Sequence, residues 1–512
     1  MSLTVGVLSP FVLLLLFAFI VASRSVYRWL VPHSLDRDAY AHLLYAKHIK
    51  EHGHRIPDRP DMVVTDGRYG YPFLMHWLLS FLPVRSYRTI DRYFSPATAL
   101  AFAALVCTLY PLGVLDGSQL LLAVAVFAVT PQFVRPDMPD AVGISARMPG
   151  IVLTTAAVLA FTRYLATGAL LAVTAAVVLG AGVFLLSKFS VQALLFVSIG
   201  LSVATPVAFG VYVASLLLAV VATGGVYARV LAGQIGFLHD YAVNKQQKLF
   251  KQPRLNPLAI ARDIDSFEDL LTAAYYNRLV RPLINNPYVL LTVVAYALST
   301  RGTTVSLPVG FHLWIWSCLG AFVLTSMPYL LFLGEPERYL VYGFLPMTVL
   351  VARAWDAFGI EYRVLVGTVL FAGLGVMALY VFLYERLFFS DDAVQWSSML
   401  EFLRSKAPGT VLVQPYWNAR RVAWETDHLV VDYVMNEGMT DNEKTDRLCP
   451  SMRAVVTNDV EWLGEAFQPD WVVFERDRLQ EVERHEGLLP PSSTPVYEDD
   501  DFEVYRFAQL RD

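Results

Sequence analysis

The sequence predicts a polytopic α-helical membrane protein with a small soluble α/β domain at its C-terminal end. Three observations carry this prediction. Of 512 residues, 55% are hydrophobic and only 17% are charged, where a soluble globular chain carries about 25% charged residues. Apolar runs of about 18 residues recur along the chain, each long enough to cross a hydrocarbon layer of about 30 Å, and mean hydropathy is +0.46. Beyond Tyr384 the pattern changes, and "GTVLVQPYW" and "DWVVFERD" are runs of strand length set among charged helical pattern.

Roughly eleven spans are expected by this length criterion. They lie near residues 4–23, 95–115, 119–134, 149–166, 169–186, 189–205, 206–225, 287–300, 308–333, 339–353 and 364–384. The first run, Val5 to Ala22, reads as a retained helix, because it lacks a basic leader and exceeds the usual hydrophobic length of a signal peptide. Tyr71 to Leu82 has the length of a re-entrant piece. The expected organisation is a transmembrane body, 1–386, with external loops 24–94, 135–148 and 226–286, followed by an extracytoplasmic soluble domain, 387–512. An odd number of spans places those loops and the C-terminal domain on one side. Arg163, Arg301, Arg353 and Arg363 then fall in short loops on the other side, which basic residues mark as cytoplasmic. The expected location is the plasma membrane, multi-pass. Net charge −5 implies no nucleic-acid partner. Cys107 and Cys318 lie in apolar runs and Cys449 in polar sequence, so neither a disulfide framework nor a metal-type spacing is expected.

The stretch "SLDRDAYAHLLYAKHIKEHGHRIPD", Ser34 to Asp58, follows the first span. Ser34 suits an N-cap, and Leu35, Ala39, Leu43, Ala46 and Ile49 recur at helical spacing. This predicts an amphipathic helix at the membrane interface. Asp36 and Asp38 suit its first turn, where the helix dipole favours carboxylates. Positions i and i+2 point about 200° apart, so the two cannot face one site together. Asp38 shares a face with His42, and Asp36 with Tyr40. One carboxylate can cap while the other serves as a general base, and an adhesive interfacial helix would carry the same pattern.

Further charges sit beside apolar runs. "GEPERYLVYGFLP" brings Glu335, Glu337 and Arg338 between two spans. A guanidinium grips phosphate through paired, charge-assisted bonds, although charges at span ends also snorkel. Lys188 in "LSKFS" follows the same logic. In the 226–286 loop, basic and aromatic residues alternate, which suits lipid headgroups or the rim of a site for a phosphorylated lipid.

The order of a first span, an acidic D-x-Y with an amphipathic helix, and a tyrosine-proline re-entry at "GRYGYPFLMHWLLSFLP" resembles the GT-C superfamily of integral-membrane glycosyltransferases. "DAYAHL" is similar to the D-x-Y of oligosaccharyltransferase catalytic subunits. That match implies Asp38 as the catalytic carboxylate, with Asp36 as second choice and Tyr40 and His42 beside it. "SARMPG", ending at Gly150, resembles the R-x-x-G of the same family and singles out Arg147. Acids follow that glycine in the family and help hold a divalent metal, whereas "IVLTTA" follows it here. Mg²⁺ or Mn²⁺ would therefore depend on Asp38 with Asp137 or Asp140, because a hard cation needs several oxygen ligands. "PERY" resembles an E-R-Y element, which implies Arg338 at a donor phosphate, with Arg147 and Lys188 as further cations and Glu335 and Glu337 as neighbours. "PYWNARR" is an approximate echo of the W-W-D-Y-G of oligosaccharyltransferases, not a match, and is read first as a buried strand end.

The implied activity is transfer of a hexosyl or pentosyl group from a polyprenyl-phosphate carrier to a lipid, glycan or protein acceptor on the outer face, with membrane lipids as surroundings. Oligosaccharyltransferase-like N-glycosylation is the near alternative. A secondary transporter would carry ionisable residues at the midplane of repeated halves, and a structural docking protein would tolerate loss of both aspartates.

Overall fold

Helices dominate the computed structural model, which describes residues 9–30, 37–59, 63–64, 69–135, 143–240, 242–243, 280–300, 305–387, 392–414, 418–432, 447, 457–476 and 494–510. In chain order they are α1 (Pro10–Leu30), α2 (Arg37–Glu51), α3 (Leu74–Ser80), α4 (Tyr87–Cys107), α5 (Gly117–Ala128), α6 (Arg147–Thr167), α7 (Leu170–Leu186), α8 (Lys188–Leu201), α9 (Val207–Ala222) and α10 (Val226–Asp240). They continue as α11 (Val280–Asn285), α12 (Pro287–Ser299), α13 (Val309–Thr325), α14 (Glu337–Tyr342), α15 (Phe344–Ala357), α16 (Ile360–Leu387), α17 (Asp392–Arg404), α18 (Ala419–Glu425) and α19 (Val460–Phe467). The chain divides into two compact units, one of residues 1–32, 92–224 and 250–388, the other of 33–91, 225–249 and 389–512.

The first unit is the apolar one. Among the described residues, Pro10–Leu30, Arg147–Thr167 and Ile360–Phe382 are long and apolar enough to cross a membrane, and six shorter apolar helices of 10–17 residues accompany them. Hydropathy alone runs past the points where the backbone breaks. The span expected at 339–353 is two helices, α14 and α15, which meet at Gly343. A Cβ there would lie 2.9 Å from both Cys318 Cβ and Met347 Cε. The span expected at 308–333 ends as α-helix at Thr325 and continues as a 3₁₀ segment, Pro328–Leu333. In the other direction, α1 runs past the expected end at residue 23 to Leu30, so Arg24 and Arg28 lie inside the helix. Phe11, Leu171 and Phe371 present 67%, 82% and 79% of their surface outward, as lipid-facing side chains do.

The core of this unit is aromatic. Phe127 packs on Phe102 and Phe133 with ring centres 5.0 and 4.8 Å apart, and Phe344 closes the cluster against Phe133 at 5.5 Å and Tyr288 at 4.9 Å. Large rings in tilted and edge-on pairs supply both area and geometric definition.

The second unit holds a five-stranded sheet of order β2-β1-β3-β5-β4, with β1 Thr410–Gln414, β2 Leu429–Val430, β3 Trp471–Glu475, β4 Tyr497–Glu498 and β5 Phe502–Arg506. The strands β2, β1 and β3 are parallel, and β5 and β4 complete the sheet antiparallel. Both runs that looked like strands in the sequence are strands. Leu412, Val472, Phe474 and Tyr505 bury one face with Trp462, Leu463 and Phe467 from α19. This unit is larger than the C-terminal stretch alone. Val63 bridges to Val430, extending the sheet by a segment from the N-terminal region, and Val64 N–H donates to the Val430 carbonyl at 2.9 Å.

Helix α2 belongs to this second unit and does not lie on an interface with one face free. Ala39, Leu43, Ala46 and Ile49 are all fully buried, as their spacing predicts, but His42 and His48 on the polar side are buried too. The helix packs against α3 and α18, so protein covers both faces.

Candidate phosphate-binding cavity

A cavity of about 590 Å³, counted to its open mouth, lies in the first unit. Its lining is mainly apolar, yet three arginines from three elements reach it: Arg24 from α1, Arg147 at the start of α6 and Arg338 from α14. Gln132, Phe133 and Phe189 line it between them.

Arg24 is the most telling of the three. Its side chain is 2% exposed. One terminal N–H donates to the Phe127 carbonyl at 3.3 Å, the other to the Ser23 hydroxyl at 3.3 Å, and Nε has no hydrogen-bond acceptor among the described residues. The guanidinium lies 5.4 and 5.8 Å from the centres of the Phe127 and Phe133 rings. No carboxylate among the described residues pairs with it. A buried charge without a counter-charge is costly, and the open side of this one is the cavity.

Arg338 is held differently. Its Nε donates to Glu335 at 3.1 Å and its guanidinium stacks 4.4 Å from the centre of Phe189. Gly334 makes that stack possible. Its φ of +101° suits glycine, and a Cβ there would meet Phe189 at 2.6 Å. Desolvation works against the Glu335 charge, but Arg338, Arg281, Arg135 and Arg147 prevail and hold the carboxyl at about 2. Lys188 Nζ lies 5.6 Å from the centre of the same Phe189 ring.

Glu337 does not neutralise Arg338, the pairing its position next in sequence suggests. It receives Arg135 Nη1 at 2.6 Å and Arg281 Nε at 2.9 Å, and both Glu337 and Arg135 are closed to solvent. As the first residue of α14 its carboxylate also sits at the favourable end of the helix dipole.

Arg147 opens α6, and the glycine of its R-x-x-G is a packing device. A Cβ at Gly150 would fall 2.2 Å from Ser190 Oγ and 2.8 Å from Ser187 Cβ, so α6 approaches α8 as only glycine allows. Asp137 and Asp140 lie outside the described residues. Among those that are described, no group of three or more His, Cys, Asp or Glu is placed to hold a metal ion, so no chemical step is assigned to one.

In the second unit, Asp38 lies in the first turn of α2, and Asp36 falls just before it, outside the described residues. Tyr40 is buried, and desolvation raises its hydroxyl to about 12 against the opposing charge of Arg421. His42 Nδ1 is 2.7 Å from His76 Nε2, and His76 Nδ1 is 2.8 Å from Tyr69 Oη. Burial, reinforced by His42, holds His76 well below the usual histidine range. Tyr416 and Trp417 of "PYWNARR" lie outside the described residues, while Asn418 Nδ2 donates to Glu475 at 2.6 Å.

Of the predicted cations, Arg147 and Arg338 come together on one cavity, and Lys188 lies near the Phe189 ring that Arg338 also stacks on. Arg24, Arg135, Arg281 and Gln132 were missed. Arg24 had a signal: it follows Ile20 by one turn in a run whose helical spacing continues through Tyr27 and Arg28, all of them buried. Arg135 and Arg281 had none, since their partner is 202 and 56 residues away.

No protein-family model matches the chain, and no curated protein sequence does. Its fold does match a solved one, the crystal structure of ArnT from Cupriavidus metallidurans bound to undecaprenyl phosphate, with a TM-score of 0.53 at 12% identity over 98% of each chain. The chain therefore shares the fold of that solved protein over nearly its whole length. At that identity the likeness speaks of fold, and the chemistry rests on the residues above.

Proposed function

We propose that the chain is a membrane glycosyltransferase that takes a sugar from a polyprenyl-phosphate carrier, with the carrier's phosphate seated in the arginine cavity. One observation carries the reading. Among the described residues Arg24 is buried without a carboxylate partner, and it opens on a cavity that Arg147 and Arg338 also line. Arginines suit a phosphate that must be both held and stabilised as charge builds on the leaving oxygen. The apolar remainder of the lining suits a lipid, and the fold neighbour is bound to undecaprenyl phosphate in its crystal.

In the transfer step the acceptor's nucleophilic oxygen attacks the anomeric carbon as the bond to the phosphate oxygen breaks. Asp38 takes the acceptor's proton, the role its D-x-Y resemblance implies, and the guanidiniums take up charge on the departing phosphate. The acceptor is a lipid, glycan or protein hydroxyl on the outer face, and the 387–512 region lies on that side of the plasma membrane.

The test is purified protein in lipid nanodiscs, incubated with radiolabelled polyprenyl-phosphate hexoses and pentoses and with extracted envelope lipids and glycans. Label should move to an acceptor, and Asp38→Asn should lower kcat by about 10²–10⁴ in a protein of unchanged thermal stability. Absence of transfer from every donor, with none of the donors bound, defeats the proposal.

A further inference from the structure

Resting on the reading of the cavity as a phosphate site, we infer that Glu335 is a product-release residue, a carboxylate that discriminates against the doubly charged carrier left after the sugar has gone. The charge states differ on the two sides of the reaction. The donor is a phosphodiester with one negative charge at any working pH. The spent carrier is a phosphate monoester, which loses a second proton near pH 6. A cluster of guanidiniums alone would hold that dianion more tightly than the donor, and the enzyme would stall on its product.

Glu335 is placed to oppose this. It binds only Nε of Arg338, at 3.1 Å, and both terminal N–H groups of that guanidinium are left without a protein acceptor among the described residues. A phosphate on those groups would lie roughly 6 Å from the carboxylate. Arg338, Arg281, Arg135 and Arg147 are the charged groups around Glu335 and keep it ionised. The neighbouring Glu337 is not free to take the role, being committed to Arg135 and Arg281 and sealed from solvent. Glu335 stands at 42% side-chain exposure on the loop after Gly334, so water tempers its repulsion to about threefold per unit of ligand charge.

The experiment compares two lipids, undecaprenyl phosphate and its methyl phosphodiester, bound to wild type, Glu335→Gln and Glu335→Asp at pH 5 and pH 8. In Glu335→Gln at pH 8 the phosphodiester should bind about threefold tighter and the phosphate about tenfold tighter. At pH 5, where the phosphate carries one charge, the two gains should converge near threefold. Glu335→Asp keeps the charge and should keep the wild-type ratio. Equal gains for both lipids at pH 8, or an aspartate variant that behaves like glutamine, overturn the inference while leaving the phosphate site intact. A wild-type protein that binds neither lipid removes the site and the inference together.

Discussion

The Arg338 guanidinium lies 4.4 Å from the centre of the Phe189 ring, and that ring fills the space a side chain at residue 334 would need. The stack sets the plane of the guanidinium while Glu335 takes its Nε, which aims the remaining two donors. Lysine keeps the charge but neither the plane nor the fork. Arg338→Lys should therefore leave the fold intact and weaken donor binding about tenfold, with acceptor dependence nearly unchanged. Phe189→Leu should weaken the donor by a smaller factor. Separate titrations of donor and acceptor read this directly, and equal loss in both would count against the assignment.

Arg24→Met removes a buried charge but keeps the volume. Replacing buried charges by apolar side chains of similar size is often neutral or stabilising, by about 1–4 kcal/mol. The variant should melt at or above the wild-type temperature, yet bind undecaprenyl phosphate at least tenfold more weakly. Loss of stability with unchanged lipid affinity would make Arg24 a purely structural residue.

Glu337 and Glu335 are two positions apart and should behave as opposites. Glu337→Gln removes the carboxylate that two guanidiniums share, one of them fully buried, and should cost about 3–5 kcal/mol of stability. Glu335→Gln loses one partly exposed pair and should change the melting temperature little. Thermal melts in the same detergent, side by side, test the contrast.

The buried histidines make stability depend on pH. His76 has its pKa depressed in the folded state, so below the unfolded value of about 6.5 the unfolded chain binds a proton that the folded one resists. Stability is fully present above about pH 6.5 and is lost as pH falls below it, with a slope of up to about 1.4 kcal/mol per pH unit. His76→Gln should be less stable at neutral pH, because Tyr69 and His42 lose their shared partner, but its melting temperature should fall less between pH 7 and pH 5.

Gly150→Ala should destabilise by about 1–3 kcal/mol through overpacking, since its methyl would meet Ser190 Oγ and Ser187 Cβ. Ser190→Gly should recover part of that loss. An alanine variant as stable as wild type would show that α6 and α8 can separate without cost.

How much of this was legible in the sequence depends on separation along the chain. Periods of 2 and 3.6 residues are local, so β1, β3 and the buried row Ala39, Leu43, Ala46 and Ile49 could be read directly. The breaks at Gly343 and Thr325 could not, because hydropathy averages across a bend that the backbone resolves. Arg147 and Arg338 were visible as charges beside apolar runs. The ion pairs were not: adjacency favoured Glu337 with Arg338, but successive helical residues point about 100° apart. Glu337 instead turns to Arg135 and Arg281, whose meeting exists only in the folded chain. The burial of His42 and His48 was hidden for the same reason, since the partners that cover the polar face of α2 come from α3 and α18.

Arg24 sits in α1, while the carbonyl it donates to belongs to Phe127, 103 residues later. At about 5–20 residues per second, the nascent helix waits several seconds for that acceptor. An arginine at the centre of a lone inserted helix is unfavourable by about 2.5–3.5 kcal/mol on the translocon scale. During that interval Arg24 is without the Phe127 carbonyl, and it gains that acceptor only once α5 arrives. The order of synthesis therefore makes the docking of α5 on α1 the step that commits this buried cation of the cavity to its place, and lengthening the segment between them should delay assembly without altering the finished protein.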